Sequence, residues 1–281
     1  MLGGIQVIYL SVIIPFYNSE RTLYKTTESL CKQINEDVEL LLIDDGSESY
    51  IEHSVINSQF KNTAQVRWFK KKHEGVSSAR NTGIRNACGE YIWFADADDI
   101  LAENSIDTIL KHIKNGLSVD IIWGNHRKYT INGFLDRQEF DYGNGDWIRS
   151  CNSNTDQLLA YIYSGPLKTA GVWNNVYKKS VILNNQIWFD QSLILYEDVD
   201  WLIKMILVSK KIDFIRSPIY YYQTAVSYTH LLGDFADVHF LKLRKIADIC
   251  WTQIENILNA ELAGQYYRSD TKNIKLGFKK I

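Results

Sequence analysis

The sequence predicts an α/β protein with a mostly parallel central sheet flanked by helices, followed by a C-terminal region and a helical extension. Three observations carry that prediction. Short apolar, β-branched runs alternate with amphipathic stretches through the first half, and strand-helix repetition at this spacing gives parallel strands covered on both faces. Two acidic clusters, Asp44-Asp45-Gly46-Ser47 and Asp96-Ala97-Asp98-Asp99, end the apolar runs Leu40 to Ile43 and Tyr91 to Ala95. Carboxylates seldom sit beside a buried strand unless paired, solvated or metal-bound, and ligands of open α/β sheets bind at the carboxyl ends of the strands. Finally, the 281 residues are 46% hydrophobic and 23% charged, which excludes a disordered chain and allows one large domain or two modest ones.

Each element follows in order. Tyr9 to Ile14 reads as the first strand, ended by Pro15, which has no ladder donor. Ser19 is placed to cap an amphipathic helix reaching about Lys32. Val38 to Ile43, the helix Ile51 to Phe60 and the strand Val66 to Phe69 come next. Ser77 to Ala87 is helical, with Gly89 in a C-cap position. After the strand Tyr91 to Ala95, Asn104 caps a helix through Ile113, and Asp120 to Gly124 is a further strand. Near residue 125 the rhythm breaks. Residues 126–150, rich in Tyr, Gly, Asn and Asp, suggest a hairpin or loop excursion. Helices are expected at 155–163, 175–183 and 197–209, a strand at Asp213 to Ile215, and a long amphipathic stretch from Asp234 to Leu262. The boundaries that result are 1–125, 126–232 and 233–281.

Charge and composition narrow the partners. A formal net charge of −2 gives no basic excess for nucleic acid, and Lys70-Lys71-Lys72 reads as a solvated turn. Cys31, Cys88, Cys151 and Cys250 have no CxxC spacing, so neither a disulfide framework nor a thiolate zinc site is indicated. Cys31 and Cys88 fall in helix-like patterns as small buried hydrophobes. No apolar stretch is long enough to span a bilayer, and the first residues lack the features of a signal peptide. A cytoplasmic protein fits these readings.

The motifs that hold common cofactors are missing: no GxGxxG follows the first strand, and neither a GxxxxGK[ST] loop nor a G-x-S-x-G elbow occurs. Strand one instead runs into Pro15-Phe16-Tyr17-Asn18, an aromatic face suited to a stacked base. Asp96 and Asp98 form a D-x-D; in an extended segment residues i and i+2 point to one side, so both carboxylates can address Mn²⁺ or Mg²⁺ on a diphosphate, the alternative being a solvated acidic turn that caps the next helix. Asp99 fits a local turn role. Gly75 to Gly83 opens a helix with Ser77 and Ser78 and carries Arg80 one turn on; helix N-termini favour anions, and the guanidinium supplies a planar donor fork, the alternative being a capped helix with a surface arginine.

Taken in order, Ser11 to Asn18, Ile43 to Ser47, Gly75 to Gly83 and Gly89-Glu90-Tyr91-Ile92 leading into Asp96 to Asp99 closely resemble family 2 of the inverting nucleotide-sugar glycosyltransferases. Gly171 to Lys178 and Tyr196 to Trp201 resemble that family's acceptor half. The resemblance implies a GT-A type fold: a nucleotide-sugar-binding half over 1–125, an acceptor-binding and catalytic half over 126–232, and a C-terminal extension. It implies that Pro15 and Tyr17 line the base pocket and Asp45 bonds the nucleobase imide. Asp96 holds the ribose or sugar, and Asp98 coordinates Mn²⁺ or Mg²⁺. Asp198 matches the catalytic base, beside Glu197, with Trp173 and Asn174 near the acceptor. The expected partners are a nucleoside-diphosphate sugar, with UDP-sugars favoured, and a saccharide or lipid-linked saccharide acceptor of the bacterial polysaccharide kind. Ala97 stands where serine is common. Gln223 and Ser227-Tyr228-Thr229-His230 depart from the family's pattern after Tyr220-Tyr221-Tyr222, so diphosphate contacts there are open, including one from His230.

The chemistry has its own logic. A cation neutralises the departing diphosphate without a general acid, while a carboxylate on the opposite face takes the acceptor proton. Glu197 and Asp198 open a helix, whose N-terminus is expected to keep their pKa values low. Trp93 and Trp251 read as core, and Trp173 as a platform for a sugar ring or a packed core aromatic. Residues 268–281 carry Arg268, Lys272, Lys275, Lys279 and Lys280 against Asp270, which suggests peripheral contact with an anionic membrane at its inner face; a solvated tail is the alternative. A nucleotidyltransferase would need a glycine-rich basic loop after strand one, and a non-catalytic carbohydrate-binding protein would have little use for Asp96, Asp98 and Asp198 together.

Overall fold

The computed structural model describes residues 7–48, 53–115, 118–130, 133–134, 171–194 and 196–223. The chain divides into two compact units, residues 1–231 and 232–281, and all described residues belong to the first. The expected helix at 155–163, Ser227 to His230, the stretch 234–262 with Trp251, Cys151 and Cys250, and the basic tail lie outside the described residues.

Strands β1 (Leu10–Phe16), β2 (Val38–Asp44) and β4 (Tyr91–Phe94) are buried along their whole length, as near-continuous apolar runs require when helices cover both faces, and the buried Ser11 Oγ donates to Glu39 Oε1 (2.7 Å). β3 (Val66–Lys70) forms the outer edge and is only partly buried. These four run parallel in the order β3-β2-β1-β4. Helices α1 (Glu20–Cys31), α2 (His53–Asn57) and α3 (Val76–Asn86) connect them. Leu23 and Leu30 of α1 join Val12, Ile14, Leu40 and Leu42 in one core cluster, each such side chain contributing about 1.5–3 kcal/mol by leaving water. On α3, Gly83 allows close approach to β1, since a Cβ there would lie 2.3 Å from Ile13 Cγ2.

Beyond β4 come the short β5 (Ile100–Leu101) and α4 (Ser105–Lys114), which lays Ile106, Ile109 and Leu110 on the same core. The second half adds β6 (Ile121–Thr130), β7 (Gly133–Phe134), β8 (Asn175–Lys178), α5 (Lys179–Asn184), α6 (Glu197–Val208) and β9 (Ile212–Gln223). β8 inserts antiparallel between β4 and β6, β9 runs parallel to β6, and β5 pairs antiparallel with β9. The sheet order is therefore β3-β2-β1-β4-β8-β6-β9-β5, with β7 paired to β6. The architecture is α/β with a mostly parallel central sheet flanked by helices.

Several local expectations are corrected. Pro15 does not end β1, which pairs with β2 through Pro15↔Ile43 and Phe16↔Asp44. Ile13 O accepts from Ala95 N–H on the β4 side and Phe16 O from Asp45 N–H on the β2 side. Strand alternation thus turns the Pro15 nitrogen toward β4, beyond the last β1–β4 pair at Ile13↔Phe94. The helix expected at 175–183 begins only at Lys179. Asn175 to Lys178 is a strand whose Val176 and Tyr177 are fully buried, because a short apolar run does not distinguish the two by periodicity. Gly89 is not a left-handed helix cap; a Cβ there would meet Ser11 N at 2.6 Å, so it serves close packing on β1. Ser19 and Asn104 precede their helices without a side-chain cap bond, and Ser19 Oγ donates to Tyr17 O instead (2.8 Å). Both β6 and β9 outrun the expected strands because their distal halves pair with each other through Tyr129↔Gln223. Cys31 is half-buried and Cys88 exposed rather than both being buried, with Cys88 Sγ accepting from Arg67 Nη1 at 3.3 Å. Trp93 is core, as expected.

Candidate active site

The segments that leave the carboxyl ends of β1 to β4 surround a cleft of about 690 Å³, a size suited to a nucleotide-scale ligand. Of the expected site residues, Pro15, Tyr17, Asp45, Asp96 and Asp98 line it. Arg80, Trp173, Asn174, Glu197 and Asp198 are not on its wall; Arg80 connects the cleft to Glu197.

Asp45, at the end of β2, is only 3% exposed. Its carboxylate accepts from Lys71 Nζ (2.6 Å), from Gly75 N–H (2.8 Å) and from Glu74 N–H at both oxygens (3.2 and 3.3 Å), and His73 Nδ1 lies 2.9 Å from Oδ2. Three donors hold the carboxylate, and His73 Nδ1 lies 3.0 Å from Asp45 O, so Asp45 clamps the loop between β3 and α3. The clamp dictates local backbone. Gly75 holds φ 91 while donating to Asp45, and Gly46, with φ 84, sits where a Cβ would lie 2.6 Å from His73 N. On the opposite lip, Asn18 (φ 48) donates its N–H to Ser47 Oγ and accepts from Glu48 N–H, both at 3.0 Å, tying the β1 and β2 loops together. Tyr17 projects a partly exposed ring that stacks on His73. The expected solvated turn at Lys70 to Lys72 is corrected for Lys71, which is half-buried between Asp45 and Glu74 (3.0 Å).

Asp96 and Asp98 sit on a turn rather than in an extended segment, since Asp99 N–H donates back to Asp96 O (3.3 Å). Both nevertheless face the cleft. Tyr220 anchors the turn at each end: its hydroxyl accepts from Asp96 N–H (2.9 Å) and donates to Asp99 Oδ2 (2.8 Å). Asp99 also accepts from Gln223 N–H (2.7 Å). Burial, then the Asp96 charge, pushes the Asp99 carboxyl up to about 8. Asp98, at the cleft mouth, is raised by the protein packed around its carboxyl and then by Asp96. Two converging carboxylates whose mutual repulsion a cation relieves fit Mn²⁺ or Mg²⁺. No group of three or more His, Cys, Asp or Glu among the described residues is placed to hold a metal, so further ligands would have to come from outside the protein.

Arg80 is 5% exposed. Nη1 bonds Glu197 Oε1 (2.9 Å) and Nη2 bonds Asp96 Oδ1 (3.2 Å), while the guanidinium carbon lies 5.3 Å from the Phe189 ring centroid. The fork expected to meet an anion thus spans two carboxylates. Glu197 and Asp198 open α6 behind Tyr196, which holds φ 67. Asp198 Oδ1 accepts from Val199 N–H (2.8 Å). The expected low Asp198 pKa is corrected: burial first, then the Glu197 charge, raises it to about 6 against the opposing pull of Arg80. Burial outweighs the helix N-terminus.

Trp173 is 7% exposed and stacks with Tyr220 (4.7 Å between centroids) and Tyr222 (5.1 Å). Its carbonyl accepts from Trp93 Nε1 (2.6 Å). Asn174 is buried, donating to Gly124 O (3.4 Å) and accepting from Asn175 Nδ2 (3.1 Å). Sequence reasoning missed Lys71, His73, Tyr220 and the first turn of α1, where Glu20, Arg21 and Thr22 line the cleft. For Lys71, His73 and the start of α1, position was the available signal, because every loop after a parallel strand here opens at the same sheet edge; Tyr220, inside β9, had none.

The profile of Glycosyl transferase family 2 matches residues 11–168, more than half of the chain. An uncharacterized glycosyltransferase of Rickettsia felis is 42% identical over 105 residues, covering 37% of this chain and 17% of the relative. Poly(ribitol-phosphate) beta-N-acetylglucosaminyltransferase TarP of Staphylococcus aureus is 26% identical over 276 residues, 96% of this chain and 77% of TarP. Among solved structures, S. aureus TarS 1–349 in complex with UDP-GlcNAc matches with a TM-score of 0.62 at 20% identity, over 86% of this chain and 66% of TarS 1–349. The mannosyltransferase PcManGT of Pyrobaculum calidifontis, in complex with GDP-Man and Mn²⁺, matches with a TM-score of 0.56 at 14% identity, over 80% of this chain and 59% of PcManGT. The chain spans about a sixth of the length of its Rickettsia relative. The structural likenesses establish a GT-A type fold, and on the sequence match the chain belongs to glycosyl transferase family 2.

Proposed function

We propose that the chain is an inverting glycosyltransferase that moves a sugar from a nucleoside-diphosphate donor, by preference a UDP-sugar, to a hydroxyl of a saccharide or lipid-linked saccharide. The observation that carries this reading is a division of labour between neighbouring carboxylates. Glu197 is ion-paired to Arg80, whereas Asp198 is raised to about 6, suited to accept a proton near neutral pH. The same Arg80 bonds Asp96, so the donor-side turn and the base-bearing helix are linked through one guanidinium. TarS, which shares the fold, binds UDP-GlcNAc, and this supports a uridine donor here.

In this reading Pro15 and Tyr17 form the apolar side of the base pocket. Asp45 meets the base imide after releasing one of its present donors. Asp96 and Asp98 would hold Mn²⁺ or Mg²⁺, which when bound would supply positive charge for the departing diphosphate. Asp198 removes the acceptor hydroxyl proton as that oxygen bonds to C1 from the opposite face. The C1–O pair departs with the diphosphate, and the single displacement inverts the anomeric centre. Trp173 and Asn174, both covered, shape the acceptor side from beneath rather than offering a free face. Arg80 is a positioning residue, acting through Asp96 and Glu197.

Release of nucleoside diphosphate from UDP-, GDP- and dTDP-sugars, with and without Mn²⁺, tests the reading. UDP-sugars should turn over fastest, and Asp98→Ala should remove the metal-dependent part while thermal unfolding stays unchanged. Near-normal Mn²⁺-dependent rates in Asp98→Ala would exclude Asp98 as the metal ligand.

A further inference from the structure

His73 makes two contacts that a nucleobase would need. Its ring stacks on Tyr17 with centroids 4.1 Å apart and planes 24° from parallel. Its Nδ1 lies 2.9 Å from Asp45 Oδ2 and 3.0 Å from Asp45 O. A flat heteroaromatic ring that stacks on an aromatic platform and presents a ring nitrogen to a buried carboxylate uses the recognition chemistry of a pyrimidine imide. A base making those contacts requires the same space.

We propose that His73 is an internal stand-in for the nucleobase, a plug that leaves the pocket when a nucleoside diphosphate binds. This rests on the donor-binding reading above. Release is local. The His73 side chain is 54% exposed, so a change of rotamer carries it into solvent without disturbing the core. Asp45 retains Lys71 Nζ and the N–H groups of Glu74 and Gly75, so the loop stays clamped while the approach to Asp45 Oδ2 and O, which His73 Nδ1 now fills at 2.9 and 3.0 Å, is opened. Lys71 also bridges to Glu74 (3.0 Å), which secures the loop independently of His73. A ligand that must displace a resident group binds with its intrinsic affinity scaled by the fraction of open pocket. A plug in place about 70–90% of the time therefore weakens apparent binding about 3- to 10-fold.

Titration calorimetry of UDP with the intact chain and with His73→Ala provides the test, alongside proton NMR of the His73 Cε1–H, assigned by its loss in the variant. The expected result is UDP binding about 3- to 10-fold tighter in His73→Ala, and a wild-type His73 signal that loses its Tyr17 ring-current shift on saturation with UDP. Binding only by the variant also supports the plug. Equal or weaker binding in His73→Ala, or a His73 signal unmoved by saturating UDP, overturns it and leaves the donor reading intact. If neither protein binds UDP, GDP or ADP, both inferences fall.

Discussion

Glu197 and Asp198 are adjacent in sequence, yet the fold gives them different electrostatics. Glu197 faces a guanidinium at 2.9 Å, and Asp198 bears the burial and the repulsion of its neighbour. Replacing Asp198 with Asn keeps the shape and removes the proton acceptor, so kcat should fall by about 10²–10⁴ with donor affinity unchanged. In the wild type, kcat/KM should decline as pH drops through about 6; a flat profile down to pH 4.5 would point to another base. Stability gives a second readout. A carboxyl whose folded pKa lies above its unfolded value stabilises the fold below pH 4, and that contribution is lost as pH rises through about 6. Asp198→Asn should thus be more stable than wild type at pH 7.5, on the order of 1–2 kcal/mol after allowance for partial exposure, measured by urea unfolding.

At the scale of elements, Arg80 joins α3, the Asp96 turn and α6. Removing it leaves two carboxylates without their cation, so Arg80→Met should cost about 3–5 kcal/mol. Lysine carries one ammonium and cannot reproduce a fork on two acceptors, so Arg80→Lys should restore little of that stability or of kcat. Wild-type unfolding midpoints in both variants would disprove the link. This contact also marks where sequence reading stopped. Strands β1 to β4 and the acidic loops were legible because their signal is local: short apolar runs, two of which end in carboxylates. Arg80 and Glu197 are 117 positions apart and Tyr220 and Asp99 121 apart, so nothing local reports their pairing. Asp45 was visible as a site residue, but its three carboxylate donors were not, since they come from a loop after a different strand. β8 was misread because a four-residue buried run carries no period.

For the whole molecule, the family assignment and the α/β architecture agree, and the open sheet edge gathers donor-side groups at one mouth. No helix among the described residues is long and apolar enough to cross a membrane. A membrane role would rest on residues 268–281, whose five cations against one acid can each contribute about 1 kcal/mol beside an anionic leaflet, the alternative being a solvated tail. Sedimentation with anionic liposomes should show binding at low salt, release at high salt, and loss on truncation after residue 267; a supernatant protein at low salt removes that role. The central claim, metal-assisted transfer from a nucleotide sugar with Asp198 as base, is tested most directly by UDP release, with Mn²⁺ and a saccharide acceptor, from the UDP-sugar that turns over fastest in the donor screen. Wild type should turn over and stop on chelation, while Asp198→Asn should bind UDP normally and lose about 10²–10⁴ in rate. Undiminished turnover in Asp198→Asn, or wild-type turnover indifferent to chelation, would contradict the account.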